Sequence, residues 1–149
     1  MSIEDDVALL DRIPTLRVLG VASLRMLAIG SDVRNFDRGE MLFQTGDPAD
    51  AGFIVQHGSF RLKSEDDRGH ELVVGPGSLI GELALIVEMP RPATAIALER
   101  SSVIRVARSL FQRVLESDPA AARRLRDELA GRTSQIASDI VMAGAKLSI

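Results

Sequence analysis

Two residues nine apart carry the most suggestive chemistry in this sequence: Glu82 heads the apolar run GELALIVEM, and Arg91 stands between Pro90 and Pro92. A planar guanidinium can donate two parallel, charge-assisted hydrogen bonds to two oxygens of one anion, and an ionised carboxylate accepts from a hydroxyl. Read singly, each residue has a plainer explanation. Glu82 is an acid of the kind favoured at a helix start, and Arg91 is a solvated surface charge. Whether the two serve one ligand together depends on the pattern around them.

Other chemistries are poorly supplied. With no cysteine in 149 residues there is neither a disulfide framework nor a thiolate nucleophile. His57 and His70, the two histidines, lack a companion at metal-ligand spacing. No enzyme activity, metal or cofactor is expected. A net charge of −3 argues against nucleic acid as a main partner, because phosphate-backbone binding needs a concentrated basic face. Arg123, Arg124 and Arg126 are followed at once by Asp127 and Glu128, and read as a solvated helix face. The N-terminus MSIEDDVALL opens with acids, and no apolar run approaches the roughly 20 residues that span a bilayer. A soluble, cytoplasmic protein without a membrane partner is the expectation.

The elements that must position the pair follow from patterning. An apolar fraction of 46% with 26% charged residues, at this length, predicts one globular domain over residues 1–149. Over residues 1–32 apolar side chains recur at three- and four-residue spacings, broken at Pro14, Gly20 and Gly30, which predicts two or three short helices. Residues 33–107 change character: eight of the twelve glycines fall between Gly39 and Gly81. The runs MLFQ, FIVQ, SFRLKS, ELVVG and TAIALERSSVIRVA are separated there by turn signals. About eight short antiparallel strands in a β-roll or jelly roll are predicted, giving an α+β, mainly β chain. Over residues 108–149 helix signals return, with Asp118 as N-cap, Pro119 at the first helical position, and a long helix to near the end. Leu125, Leu129, Ile136, Ile140 and Leu147 form a stripe on that helix, which would pack on the roll or pair with a second copy. Leu83, Leu85 and Ile86 read as core side chains under the roll.

The run Gly81 to Thr94 resembles the phosphate-binding cassette (81–94) of the cyclic-nucleotide-binding domain family, the family of catabolite activator proteins and kinase regulatory subunits. Its Gly-Glu-apolar-small-apolar opening leads to an arginine followed by small residues. The run GEMLFQTGDPADAGFIVQHGSFRL, Gly39 to Leu62, is similar to that family's first strands, with Gly46, Asp47 and Gly58 at the turns. The resemblance implies that Arg91 meets the cyclic phosphate and Glu82 the ribose hydroxyl. A short helix starting at Gly81 would present the amides near Leu83 and Ala84 to the anion, with Ala84 and Ala93 small enough for close approach.

One position departs from the family's pattern. The residue after the arginine usually donates a backbone N–H to the phosphate, and here it is Pro92, which has none. A hydrogen bond to a charged group contributes about 1.5–3 kcal/mol, so affinity should be modest unless water or the Ala93 amide substitutes. Pro92 also removes the hydroxyl that relatives selective for cyclic GMP tend to place there, which favours cyclic AMP. Thr133 and Ser134 resemble the hydroxyl pair that catabolite activator proteins present to adenine. The resemblance further implies a regulatory sensor whose C-terminal helix closes as a lid on the ligand and signals to an effector protein. With no effector segment before Ile149, a stand-alone domain is expected, and a homodimer through the last helix is compatible with its stripe. The competing reading keeps the fold as a dimerisation or docking module without nucleotide binding.

Overall fold

The computed structural model describes residues 2–64 and 70–131. Helix α1 (Ile3–Leu10) starts at Ser2, whose hydroxyl accepts the Asp5 amide while the Asp5 carboxylate accepts the Ser2 amide. This reciprocal capping fixes the helix start. Pro14 opens α2 (Pro14–Arg17), and Gly20, at φ 87°, precedes α3 (Val21–Gly30). The breaks fall where proline and glycine predict them.

Ten antiparallel strands follow among the described residues: β1 (Asp32–Phe36), β2 (Met41–Phe43), β3 (Pro48–Ala49), β4 (Ala51–His57), β5 (Phe60–Ser64), β6 (Glu71–Val74), β7 (Leu79–Ile80), β8 (Met89–Pro90), β9 (Ala93–Ala97) and β10 (Ser101–Ala107). One sheet has the order β1-β10-β4-β7, the other β2-β9-β5-β6, and β3 pairs with β8 in a separate two-stranded ribbon. The antiparallel roll expected from the glycine-punctuated runs is present. Strands β3, β7 and β8 have two residues each, too short for a periodic signal, and β1 is a largely exposed polar run, DVRNF.

Alternation along β4 and β10 builds two cores at once. Phe53, Val55 and Val103 face the roll interior with Phe60, Ile80 and Ala97. Ile54, Ile104 and Val106 face the other way, against Leu10, Leu16, Leu24 and Leu27 of the N-terminal helices and Phe111 and Val114. Those last two lie on α4 (Arg108–Ser117). Each such side chain taken out of water contributes about 1.5–3 kcal/mol, which is why the two strands buried on both faces organise the rest. Register is fixed accordingly, with Ile54 opposite Ile104, and with Phe60 opposite both Val74 and Ala97.

After α4, Asp118 caps a further helix, α5 (residues 119–131): its Oδ1 accepts the Ala121 amide at 3.1 Å, with Pro119 first in the helix. Leu125 is buried and Leu129 packs on the helical core. Thr133, Ser134, Ile136, Ile140 and Leu147 lie outside the described residues. Arg123, Arg124 and Arg126 are exposed, as a solvated helix face requires, and Arg124 also has partners: its Nε and Nη2 donate to the carbonyls of Val18 and Leu19 at 2.7 and 3.0 Å, tying α5 to the end of the α2 segment. Carbonyls there have no helical partner, and a cation satisfies them.

Candidate functional site

Gly81 sits at φ 78°, ψ 41°, a left-handed conformation in which a Cβ is strained, and it turns the chain out of β7. The next four residues, Glu82–Leu85, form the short helix expected there, wound as a single 3₁₀ turn. The first intrahelical bond joins the Ala84 amide to the Gly81 carbonyl at 3.1 Å, so the amides of Glu82 and Leu83 have no intrahelical acceptor. Leu85 is 1% exposed and anchors the turn in the helical core, with Ile86 half-buried beside it. Leu83 is a correction: it is 58% exposed at the cavity mouth, because the three-residue repeat of the turn points it away from the side that Leu85 buries.

Arg91 is held from both directions of the chain. Its amide donates to the Asp47 carbonyl and its carbonyl accepts from the Gly46 amide, each at 2.8 Å, extending the β3–β8 ribbon. The side chain turns inward and is 4% exposed, which excludes the reading of Arg91 as a solvated surface charge. Its Nη2 donates to the Ala51 carbonyl at 2.9 Å, and Cζ lies 4.4 Å from the Phe43 ring centroid and 5.3 Å from that of Phe53. Both rings are within cation–π range. Nη1 packs against Gly81, 2.6 Å from where a Cβ on that residue would stand. Nε is buried and has no hydrogen-bond partner among the described residues.

The electrostatics are those of an incompletely satisfied cation. Among the described residues no carboxylate pairs with Arg91 within 4.0 Å. Burial pushes its pKa below the usual arginine value; the nearby charges of Asp50 and Asp47 act to raise it, and those of Arg105 and Arg108 to lower it. Buried cations are ordinarily paired, because desolvating an isolated charge is expensive.

A cavity of about 390 Å³ opens onto this group, within the size range of small-molecule sites. Gly81, Glu82, Leu83, Ala84, Arg91, Pro92 and Ala93 all line it. Seven of the nine residues singled out in the sequence thus share one wall, and the other two are Thr133 and Ser134. Ala84 is buried, Ala93 half-buried and Pro92 exposed. The rest of the lining is apolar: Phe43, Ala49, Leu62, Ile80 and Met89. Sequence reading missed these as site residues, since each looks like an ordinary strand residue; Ile80 and Met89 adjoin or lie within the cassette, and only the closure of the roll brings Phe43, Ala49 and Leu62 to it. Phe43 is the most consequential, as it stacks on the guanidinium.

Among the described residues no group of three or more His, Asp or Glu side chains could hold a metal ion, and no helix is long and apolar enough to cross a membrane.

Comparison with known proteins agrees with this geometry. The chain is 34% identical over 110 residues to an HTH-type transcriptional regulator of Mycobacterium tuberculosis, covering 72% of this chain and 45% of that protein. It thus spans less than half the length of such curated relatives. Among solved structures, the N-terminal domain of a transcriptional regulator from Streptomyces coelicolor superposes with a TM-score of 0.81 at 30% identity, over 89% of this chain and 94% of that one. A cyclic nucleotide-binding-like protein from Brucella abortus is 36% identical at a TM-score of 0.68, over 75% of this chain and 98% of that one. The model of the cyclic nucleotide-binding domain matches residues 33–118, from the first strand of the roll to the end of α4, and the chain belongs to that family.

Proposed function

We propose that the cavity binds a cyclic nucleotide, cyclic AMP in preference to cyclic GMP, and that the chain acts as a regulatory sensor. The observation that carries this reading is Arg91: a buried guanidinium in the lining of a largely apolar cavity, whose Nε has no partner and which has no carboxylate within 4.0 Å among the described residues. A cyclic phosphate supplies the missing negative charge, and the apolar wall suits a flat base. In this reading Arg91 and the amides of Leu83 and Ala93 hold the phosphate, since the Ala84 amide is taken by the Gly81 carbonyl and Ala84 contributes only its small size; Gly81 allows the close approach, and Glu82 accepts from the ribose 2′-hydroxyl. Thr133 and Ser134 meet the base, and the C-terminal helix closes over it. Such closure is a two-state change whose population follows the ligand's differential affinity for the closed form. An effector protein reads the helix. The preference for adenine rests on Pro92, which offers guanine no hydroxyl.

A second reading has its own support. Arg91 already donates to Ala51 within the chain, and Pro92 lacks the amide that the family's pattern uses. A roll that has lost its ligand and serves as a docking module would look like this. Calorimetric titration with cyclic AMP and cyclic GMP in parallel separates the two. Saturable heat with cyclic AMP, weaker with cyclic GMP and lost in Arg91→Lys, is expected of the sensor. Lysine keeps the charge but not the two-pronged geometry. No heat at millimolar nucleotide leaves the docking module.

A further inference from the structure

We propose that Arg108 is the positioning residue that joins the walls of the cavity to α4, so that occupancy of the cassette is passed to the C-terminal helices through one guanidinium. The transmission rests on the reading above; the junction itself does not. Arg108 is the first residue of α4. Its Nη1 lies 2.8 Å from the Ala49 carbonyl and 3.1 Å from each of the carbonyls of Ala84 and Val87. Ala49 belongs to β3, Ala84 to the 3₁₀ turn, and both line the cavity. The Arg108 amide donates in turn to the Asp50 carbonyl at 2.8 Å.

The placement has a physical reason. Carbonyls at the end of a short helical turn have no partner inside it, and a cation there also complements the turn's dipole. Arg108 answers that need from outside, behind the wall that Arg91 faces from within. Its side chain is 15% exposed, and its acidic neighbour, Glu88, is 3.8 Å away and 93% exposed, so the carbonyls are the buried and close partners. The other nearby acid, Asp50, is taken up by Arg105 at 3.2 Å. Three separate segments, β3, the cassette turn and the start of α4, therefore meet on one nitrogen. Movement of the turn toward an anion shifts the Ala84 and Val87 carbonyls, and the guanidinium carries that shift to α4. Leu85 and Phe111, in one core cluster, provide the apolar half of the same contact.

The test compares the full chain with Arg108→Gln and Arg108→Lys by hydrogen exchange read by mass spectrometry, with and without cyclic AMP, beside calorimetric titration. In the unliganded Arg108→Gln protein, exchange is expected to rise together over residues 82–87 and 108–117 while the β4–β10 amides stay protected. Cyclic AMP should still protect the cassette but no longer α4, and lysine should restore that response in part. An α4 response in Arg108→Gln equal to that of the unmodified chain overturns the proposal, as does exchange that rises evenly across the sheet. Should Arg108→Gln not fold, Arg108→Lys decides alone: the lysine side chain is one bond shorter than the path to Nη1, so its ammonium cannot reach all three carbonyls together, and an undiminished α4 response overturns the proposal. An unmodified chain that ignores cyclic nucleotide refutes the sensor reading and the transmission together, and the unliganded comparison then decides the junction by itself.

Discussion

Gly81 and Gly39 offer a matched pair of perturbations that separates the cost of a turn from the geometry of Arg91. Both have positive φ, 78° and 88°, so alanine at either forces an L side chain into the left-handed region, at about 1–2 kcal/mol. For a chain of this size that is roughly 2–8 °C in Tm. The surroundings differ. A Cβ on Gly39 meets nothing within 4 Å, whereas one on Gly81 stands 2.6 Å from Arg91 Nη1. The Arg91 head cannot yield freely, being bonded to Ala51 and stacked on Phe43. Gly81→Ala should therefore displace the guanidinium and forfeit at least one charged hydrogen bond to the phosphate, about 1.5–3 kcal/mol, or roughly ten- to more than a hundredfold in affinity. Thermal denaturation with and without millimolar cyclic AMP reads both effects, since ligand raises Tm by mass action. Gly39→Ala should lose unliganded stability yet keep the full ligand-induced rise; Gly81→Ala should lose both. A Gly81→Ala protein with an undiminished rise would refute the assignment of Arg91 to the phosphate.

Restoring the missing amide is the complementary change: Pro92→Ser, at an exposed position, should leave unliganded Tm within a few degrees and tighten cyclic AMP roughly tenfold or more by titration. Affinity that does not change would mean that the backbone at 92 does not face the ligand. Gly58→Ala should be far more damaging than either glycine above, because its Cβ would overlap the Ser101 hydroxyl and stand 2.7 Å from the Arg100 carbonyl, at φ 85°. Backbone there cannot give way cheaply, and a loss of soluble, cooperatively melting protein is expected; a Tm within about 8 °C of the original, the largest shift that the turn alone explains, would contradict this.

Much of the molecule is legible in the residues alone, for reasons that are local. Proline at 14 and 119 fixes φ and removes a donor, and glycine at 20 and 81 permits the positive φ that other residues resist, so the breaks between helices and the entry to the cassette follow from one residue each. The short apolar runs FIVQ and SSVIRVA, bounded by turn signals, mark strands because a strand buried on both faces reads as a near-continuous apolar run. The Gly81–Thr94 run reads as a cassette from its resemblance to a family pattern, and seven of the residues so named line one cavity.

What tertiary structure decided are the properties that depend on residues distant in sequence. Nothing near position 91 says that its arginine is buried; that follows from Phe43, Ala51 and Phe53, 38 or more residues upstream and brought alongside by the closing of the roll. Leu83 and Leu85 look equivalent in the sequence, and only the three-residue winding of the turn over a core sends one outward and the other in. Arg108 and Arg124 are two arginines among many until their guanidiniums are seen on carbonyls 21 to 106 residues away. Sequence specifies which groups are available and where the chain must bend; charge, burial and partnership are set by what the fold carries across the intervening chain.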